Sequence, residues 1–197
     1  NTDSEDYITS LTLKNGEIKS CDFVFDCTGF KRLIIGQYYN TPWVDYSDTI
    51  PNNRALPFFL NDTAPDIPPY TEAIAMKHGW VWKIPVQGRY GCGYVFDSSQ
   101  ATDEEIKKEL EEYFQQDITI PRAFSFKAGC FKEVWVKNCI SIGLSSGFIE
   151  PLEATSIMVS ILSLEALLRN LPGIYFRDQE YIQCYNQDIR YYNCLLY

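Results

Sequence analysis

The sequence predicts an α/β fold with mixed and antiparallel sheet and buried helices, and three patterns carry this prediction. The apolar run Asp22–Cys27 ends in Thr28-Gly29, which is typical of a buried strand with a turn at its carboxyl end. Residues 79–97 read as two strands about Gln87-Gly88-Arg89, which predicts an antiparallel hairpin. Residues 154–170 are apolar on nearly all faces, which predicts a buried helix.

The amino-terminal elements follow from local signals. Ile8–Leu13 alternates like a strand, and the Asn-Gly step within Lys14–Glu17 predicts a tight turn before a second short strand through Ile18. Residues 36–72 are rich in Pro, Asn, Asp and aromatic residues. This composition predicts loops with short strands, such as Ala55–Leu60.

The carboxyl-terminal elements have equally local signals. Thr102 and Glu105 form a capping box, and the apolar spacing after it predicts an amphipathic helix over about 102–116. Cys139–Ile142 reads as a short buried strand that leads through a glycine-rich turn into the apolar helix. Leu171-Pro172-Gly173 is expected to end that helix, and a last helix is predicted over about 178–196.

The net charge and the hydrophobic pattern indicate which classes of partner are unexpected. The 197 residues include 26 acidic and 17 basic ones, a formal net charge of −9. An acidic chain without a Lys/Arg cluster repels a phosphate backbone, so nucleic-acid binding is disfavoured. The apolar helix is too short and too polar-flanked to span a membrane, and no basic, apolar leader opens the chain. We therefore expect neither a nucleic-acid nor a membrane partner.

Cysteine and histidine usage narrows the chemistry. The seven cysteines are odd in number and include no Cys-x-x-Cys, which disfavours a zinc site or a disulfide framework. Most are expected to behave as small buried hydrophobes in a reducing cytosol, so a cytoplasmic protein is predicted. His78 is the single histidine, which excludes catalysis by two histidines within this chain.

The strand, glycine-rich turn and helix of residues 139–170 form a candidate anion site. First-turn amides of a helix lack intrahelical partners, and the helix dipole adds positive charge there. The small residues Ala154, Thr155 and Ser156 would let an anion or a flat cofactor edge reach those amides. The alternative is an N-cap by Thr155 or Ser156 with no ligand.

Two further groups of residues could carry chemistry. Glu150 and Glu153 flank the helix start, where a carboxylate beside an anion site would handle protons; the alternative is a plain partnership with the helix dipole. Trp80 and Trp82 lie two residues apart in a strand and therefore face one side, as an aromatic wall or simply as core.

Three motifs, in order and in register, resemble those of the flavin-dependent halogenases of the tryptophan-halogenase type. Trp80–Pro85 matches the family's Trp-x-Trp-x-Ile-Pro in full. Asp26–Phe30 matches Asp-Cys-Ser-Gly-Phe with Thr for Ser, and Gly147–Thr155 matches Gly-Phe-hydrophobic-Glu-Pro-Leu-Glu-Ser-Thr with Ala for Ser. The resemblance covers nearly the whole chain but only the central part of a family member, so we expect the working enzyme to be larger.

The resemblance implies an FAD-dependent monooxygenase-like α/β fold. The later substrate-clamping residues, the Gly-x-Gly-x-x-Gly fingerprint and the catalytic lysine of the family are not found among these residues. The implied organisation assigns residues 1–36 to part of the FAD-binding domain, 37–132 to a substrate-side sheet, 133–172 to the return of the FAD-binding domain with the halide-site helix, and 173–197 to the start of a helical region.

The resemblance also implies an activity and its residues. Reduced FAD from a separate flavin reductase would use oxygen to convert chloride or bromide to hypohalous acid, which a lysine and a glutamate direct onto an electron-rich ring. The glutamate is Glu153, and the backbone amides that hold the halide belong to Thr155 and Ser156. The positions implied in cofactor binding are Thr28, Gly29, Gly143, Leu144, Gly147 and Ile157. Those implied to line the active site are Trp80, Trp82, Phe148, Glu150 and Pro151.

Some questions stay open at the level of sequence. Ala154 stands where many members have Ser, and Ser156 where many have Gly, so the choice between chloride and bromide is undecided. The small aromatic substrate could be tryptophan, another indole, a pyrrole or a phenol. The competing functions are a flavin-dependent aromatic monooxygenase of the same fold and a non-catalytic remnant. A transient contact with the reductase and a homodimer are the expected protein partnerships.

Overall fold

The computed structural model describes residues 1–61, 67–150 and 155–196. The chain divides into two compact units. The first unit joins Asn1–Asp45 to Gly129–Tyr197, and the second unit is Tyr46–Ala128, which lies between those two segments in the sequence.

The amino-terminal part of the first unit consists of short strands and two helical turns. The predicted Asn-Gly turn is confirmed, with Gly16 at φ +85°, and it joins the first two strands as an antiparallel hairpin. The third strand is followed by a 3-10 turn over Gly29–Lys31 and a π-helical turn over Leu33–Tyr38. The strands are β1 (Ser10–Thr12), β2 (Ile18–Ser20), β3 (Val24–Asp26) and β4 (Trp43–Asp45).

The second unit is a five-stranded antiparallel sheet with one helix. The strands follow the order β6-β7-β8-β5-β9 across the sheet. The predicted hairpin is confirmed as β7 and β8, joined through Gln87 and Gly88, whose φ is +78°. The elements are β5 (Arg54–Asn61), β6 (Glu72–Ala75), β7 (Gly79–Val86), β8 (Arg89–Phe96), α1 (Asp103–Phe114) and β9 (Phe124–Ser125).

The predicted capping box at the start of α1 is confirmed. Thr102 Oγ1 accepts a hydrogen bond from the Glu105 amide, and Glu105 Oε2 accepts one from the Thr102 amide. Two orphan amides are thereby satisfied where the helix begins. The apolar face of α1, with Ile106 and Leu110, is fully buried in a core cluster with Val81 of the sheet. This packing covers one face of the sheet.

The chain then returns to the first unit. Strand β12 pairs in parallel with β3 and antiparallel with β11, so the predicted mixed sheet is confirmed. A second sheet, β13-β10-β4, is antiparallel. The elements are β10 (Gly129–Phe131), β11 (Trp135–Val136), β12 (Cys139–Ser141), β13 (Gly147–Phe148), α2 (Thr155–Arg169), α3 (Pro172–Phe176) and α4 (Gln179–Leu196).

The core of the first unit is organised around Trp135. Its indole ring makes edge contacts with Phe23 and with Tyr185 of α4, at centroid distances of 5.7 Å and 5.3 Å. Asn186 fixes the same helix to β11, because its Oδ1 accepts from the Val134 and Trp135 amides and its Nδ2 donates to the Trp135 carbonyl. These bonds satisfy buried backbone groups that would otherwise cost free energy.

The structure corrects the prediction that α2 is buried on all sides. Val159, Ser163, Ala166 and Leu167 are buried, where the helix packs on α4 and the preceding turn. The physical reason is that the described residues pack against only one face of α2. Apolar side chains on the other faces therefore remain exposed although they are hydrophobic. The exposed apolar side chains are Ile157, Met158, Ile161, Leu164 and Leu168.

Two adjacent leucines of α2 test this correction. Leu167 is 7% exposed and Leu168 is 69% exposed. Leu167→Ala should lower the free energy of unfolding by about 2–5 kcal/mol, because it leaves a cavity in the core. Leu168→Ala, the matched control, should change it by less than about 0.5 kcal/mol. Urea unfolding followed by circular dichroism measures both, and equal losses for the two variants would contradict the assigned packing.

Two smaller corrections concern cysteines and a helix end. Only Cys92, Cys130 and Cys139 of the seven free thiols are buried, so the expectation that most are buried is wrong. The apolar neighbours of the others in sequence do not enclose them in space. Pro172 begins α3 instead of only ending the helix before it, since its fixed φ suits a first helical turn. Within the described ranges, no helix is both long and apolar enough to cross a bilayer.

Candidate functional site

Two turns that the sequence assigns to cofactor binding lie at the same edge of the mixed sheet. Strands β3 and β12 are parallel neighbours, with Asp26 opposite Ser141 at their carboxyl ends. Thr28-Gly29 follows the first strand, and a 3-10 turn over Gly143–Ser145 follows the second. In open α/β sheets, ligands bind at this edge. The fold therefore brings Thr28, Gly29, Gly143 and Leu144 to one place, with Leu144 half-buried.

Asp26 holds the first of these turns. Its carboxylate is completely buried and accepts four hydrogen bonds. One oxygen accepts from Thr28, through the amide at 3.1 Å and Oγ1 at 2.6 Å. The other accepts from the Ile34 and Ile35 amides at 2.9 Å and 3.0 Å, at the start of the π-helical turn. A charged acceptor thus satisfies donors on both sides of Gly29.

Ser145 joins the second turn to the first. Its buried Oγ lies within hydrogen-bond distance of the Asp26 carbonyl and, at 2.8 Å, of the Ile142 carbonyl. The Ile142 amide also donates to the Asp26 carbonyl, at 3.2 Å. Across the turns, the rings of Phe30 and Phe148 meet edge to face, with centroids 5.4 Å apart. The two turns therefore form one rigid edge.

The backbone of this edge is open in a way that fits a flat cofactor. Gly29 and Gly143 have φ values of +64° and +68°, which favour glycine. A Cβ at Gly29 would meet no atom within 4 Å, and one at Gly143 would meet only Ser160 Oγ, at 3.6 Å. The space beside the Cα atoms of Gly29 and Gly143 is therefore unfilled on both turns. A flat ring such as a flavin could approach the backbone there, so the residues present fit this cofactor.

A small cavity lies between the second turn and the start of α2. Its volume is about 10 Å³, which is room for about one water-sized particle. Such a space suits a particle about the size of a water molecule and is too small for an aromatic ring. The positive end of the α2 dipole faces this region, which favours an anion. The lining residues are Gly143, Ser146, Gly147, Phe148, Ile149, Thr155, Ser156, Val159 and Asn193.

Two of the three side-chain hydroxyl groups that line this cavity donate to carbonyl groups. Ser146 Oγ donates to the Gly143 carbonyl at 2.7 Å, and Thr155 Oγ1 donates to the Glu150 carbonyl at 3.2 Å. Both hydroxyl protons are therefore directed away from an occupant.

The structure brings both predicted halide-binding residues to the cavity, together with residues predicted for the cofactor and for the active-site lining. Thr155, Ser156, Gly147 and Phe148 border the cavity. Ile157, which the resemblance assigns to cofactor binding, is 64% exposed on α2 and does not line this cavity. Glu153 and Pro151 lie outside the described residues, and Glu150 is half-buried at their edge.

Trp80 and Trp82 form an aromatic pair on the sheet of the second unit. Their ring centroids are 6.2 Å apart, and Val81 between them points to the opposite, core face. The Trp82 ring crosses Gly93 so closely that a Cβ there would lie 2.0 Å from it. Both indoles are partly exposed, so this pair forms a wall on the face away from the core.

Burial shifts the pKa values of two side chains in the first unit, Cys139 and Arg32. Desolvation raises the pKa of the Cys139 thiol in β12 to about 12, so this sulfur stays neutral and is no nucleophile at physiological pH. Burial also lowers the pKa of the Arg32 guanidinium, which stacks on the Trp43 ring at 3.8 Å. No group of three or more metal-binding side chains occurs in the part of the chain described.

Sequence reasoning missed three residues of this region. The motif that contains Asp26 and the glycine-rich turn that contains Ser145 do not by themselves indicate that these two residues join the two turns. Asn193 carries the one signal that could have been found earlier. It continues the buried stripe of Ile182, Tyr185 and Ile189 on α4, and an asparagine on an apolar helix face is unexpected.

Comparison with known proteins agrees with this geometry. A family model described as tryptophan halogenase matches residues 1–193. Tryptophan 7-halogenase RebH of Lentzea aerocolonigenes is 39% identical over 174 residues, which are 86% of this chain and 33% of RebH. Tryptophan 7-halogenase KtzQ of Kutzneria sp. (strain 744) is 36% identical over 180 residues, or 89% of this chain and 34% of KtzQ.

Solved structures of flavin-dependent halogenases are similar to this chain in fold. The flavin-dependent halogenase BrvH from Brevundimonas sp. BAL3 superposes with a TM-score of 0.88 at 34% identity, over 96% of this chain and 39% of BrvH. Tryptophan 6-halogenase SttH from Streptomyces toxytricini has the same TM-score and identity, over 96% of this chain and 38% of SttH. The chain spans about a third of the length of the curated relatives it matches. This chain belongs to the tryptophan halogenase family.

Proposed function

We propose that the chain forms part of an FADH2-dependent halogenase that acts on an electron-rich aromatic compound, such as tryptophan or another indole. The observation that carries the proposal is the placement of an open backbone edge beside a small cavity with room for about one water-sized particle. The edge consists of the turns after β3 and β12, and the cavity lies where α2 begins. A halide held there would stand next to a flat cofactor at the edge.

The chain's residues would bind and orient the reactants. The amides that open α2, at Thr155 and Ser156, would hold chloride or bromide, and the turns at Gly29 and Gly143 would accept the cofactor edge. The chemistry expected of bound reduced FAD with oxygen is two-electron oxidation of the halide, with one oxygen atom leaving in hypohalous acid and the other in water. Glu153 would receive the ring proton when halogen replaces hydrogen on the aromatic carbon.

The proposed partners are a flavin reductase, a small aromatic substrate and a second copy of the protein. A separate flavin reductase would deliver reduced FAD by transient contact, and the aromatic substrate would be a small molecule. Trp80 and Trp82 would line the substrate side, where their rigid rings offer flat contact surface. A homodimer is the proposed assembly.

A halogenation assay tests the proposed function. The full-length protein is supplied with a flavin reductase, NADH, FAD, oxygen and a panel of indoles, pyrroles and phenols. We expect mass spectra to show product with the chlorine or bromine isotope pattern, formed only when the halide is present. The control replaces halide with gluconate.

The same assay separates the alternatives. A hydroxylated product, formed equally in chloride and in gluconate, would indicate a flavin-dependent aromatic monooxygenase. No product with any member of the panel, although flavin is bound and reduced, would favour a non-catalytic remnant. Either result would contradict the halogenase proposal.

A further inference from the structure

Arg32 is a cation beside the turn after β3, and its charge has no counter-ion among the described residues. Its amide closes that turn by donating to the Gly29 carbonyl at 3.0 Å. Within the described ranges, the guanidinium makes neither an ion pair nor a hydrogen bond, and its Nε is enclosed without a partner. The residue as a whole is only half-buried, so the Nη end stays accessible. Unpaired buried donors cost free energy, and a guanidinium carries five of them.

An aromatic corner holds the guanidinium where a carboxylate would be expected. Its central carbon lies 3.8 Å from the centroid of the Trp43 ring and 5.6 Å from that of Phe131. These two rings meet edge to face, with centroids 5.1 Å apart. Gly36 makes room for the corner, because a Cβ there would lie 2.9 Å from both Arg32 Cβ and Phe131 Cζ. The cation is therefore fixed in place by ring faces, which leave its N–H edges to another partner.

The backbone of Arg32 adds a second cost at the same residue. Its φ is +50°, in the left-handed region that residues with a Cβ seldom adopt. Burial lowers the pKa of the guanidinium, and no described carboxylate opposes that shift. In the same stack, Trp43 Nε1 is a further enclosed donor without a partner. Backbone strain retained together with unpaired donors is typical of a residue that binds a ligand.

The chemistry of the guanidinium and the reactants of the proposed function select the ligand. A guanidinium presents a planar fork of N–H groups that pairs with two oxygens of one oxyanion, and it is a preferred partner of phosphate. A halide is a single atom and does not use that fork. FAD carries a diphosphate, and the turn that Arg32 closes belongs to the edge proposed to accept FAD. Because the chain has a net charge of −9, a phosphate group needs a local cation to be held there.

We propose that Arg32 binds a phosphate group of the flavin cofactor through the free N–H groups of its guanidinium. This inference rests on the proposed function. The phosphate supplies the counter-charge that the described residues do not, and Trp43 and Phe131 keep the guanidinium in position to receive it. Arg32 thereby anchors the cofactor next to the Gly29 turn.

Flavins with and without phosphate test the inference by binding alone. The affinities of the full-length protein for FAD and for riboflavin, which has no phosphate, are measured by titration calorimetry in phosphate-free buffer. Arg32→Gln should weaken FAD binding about ten- to a hundredfold, the loss of a charged hydrogen-bonded pair, and leave riboflavin binding unchanged. Arg32→Lys, which keeps the charge without the fork, should recover part of the loss. Inorganic pyrophosphate should compete with FAD in the wild type and much less in Arg32→Gln.

Two further variants separate a ligand contact from support of the turn. Arg32→Gly loses the guanidinium but also relieves the strain at positive φ, so its unfolding midpoint without flavin should stay near that of the wild type while its FAD affinity falls. Arg190→Gln, the matched control, removes an exposed guanidinium from α4 and should bind FAD as the wild type does.

The outcomes distinguish failure of this inference from failure of the proposed function. Equal losses of FAD and riboflavin affinity would show that Arg32 only supports the turn. Unchanged FAD affinity would remove Arg32 from cofactor binding, and a loss confined to tryptophan would assign it to a substrate carboxylate. Each of these results overturns the phosphate contact, while halogenation by the wild type would still support the halogenase proposal. A wild type that binds no flavin would overturn both.

Discussion

Replacing Asp26 by asparagine is expected to lower the free energy of unfolding by about 3 kcal/mol or more. The buried carboxylate accepts hydrogen bonds from Thr28 on one oxygen and from Ile34 and Ile35 on the other. An asparagine of the same size presents an NH2 group to one of these pairs, so two buried donors would face a donor. Both turns of the cofactor edge should loosen, since Ser145 bonds to the backbone of the same residue.

Urea unfolding followed by circular dichroism measures this loss. The control is Asp22→Asn, which removes an exposed carboxylate four residues earlier and should change the stability by less than about 0.5 kcal/mol. In the full-length protein, Asp26→Asn should also weaken flavin binding, as read by fluorescence titration. An Asp26→Asn protein as stable as the control would show that the carboxylate does not hold these turns.

Replacing Glu153 by glutamine is expected to reduce the halogenation turnover about a hundredfold or more, the contribution of a positioned proton acceptor. Glutamine keeps the shape of the side chain but loses the basic carboxylate. Glu153 stands two residues before Thr155 in the sequence, and the resemblance to the halogenases assigns it the role of proton acceptor. The halide and flavin sites rest on other residues, so their binding should survive.

Single-turnover halogenation and flavin fluorescence, measured on the same preparation, separate the two effects. The matched control is Glu165→Gln, which removes an exposed carboxylate from α2 and should retain wild-type turnover. Full activity of Glu153→Gln would remove Glu153 from the mechanism. Loss of flavin together with activity would instead give it a structural role.

Local elements were predictable because their causes lie within a few residues. The capping box of Thr102 and Glu105 and the Gln87-Gly88 turn follow from donor and acceptor positions close in sequence. Motif identity was likewise readable, because Trp80–Pro85 and Gly147–Thr155 match a family by residue type. The π-helical turn over Leu33–Tyr38 was missed, since the Leu33 amide donates to Thr28 Oγ1 and the next two amides donate to the Asp26 carboxylate, an arrangement without a common sequence signature.

The sequence by itself determined the α/β class, the family and the positions of the main helices, because periodicity, caps and motifs are properties of neighbouring residues. The tertiary structure alone decided that Ser145 meets Asp26 across 119 residues, that only one face of α2 is covered, and that Asn193 reaches the cavity. These depend on which strands and helices become neighbours in space, and a local pattern of hydrophobicity does not specify its partner.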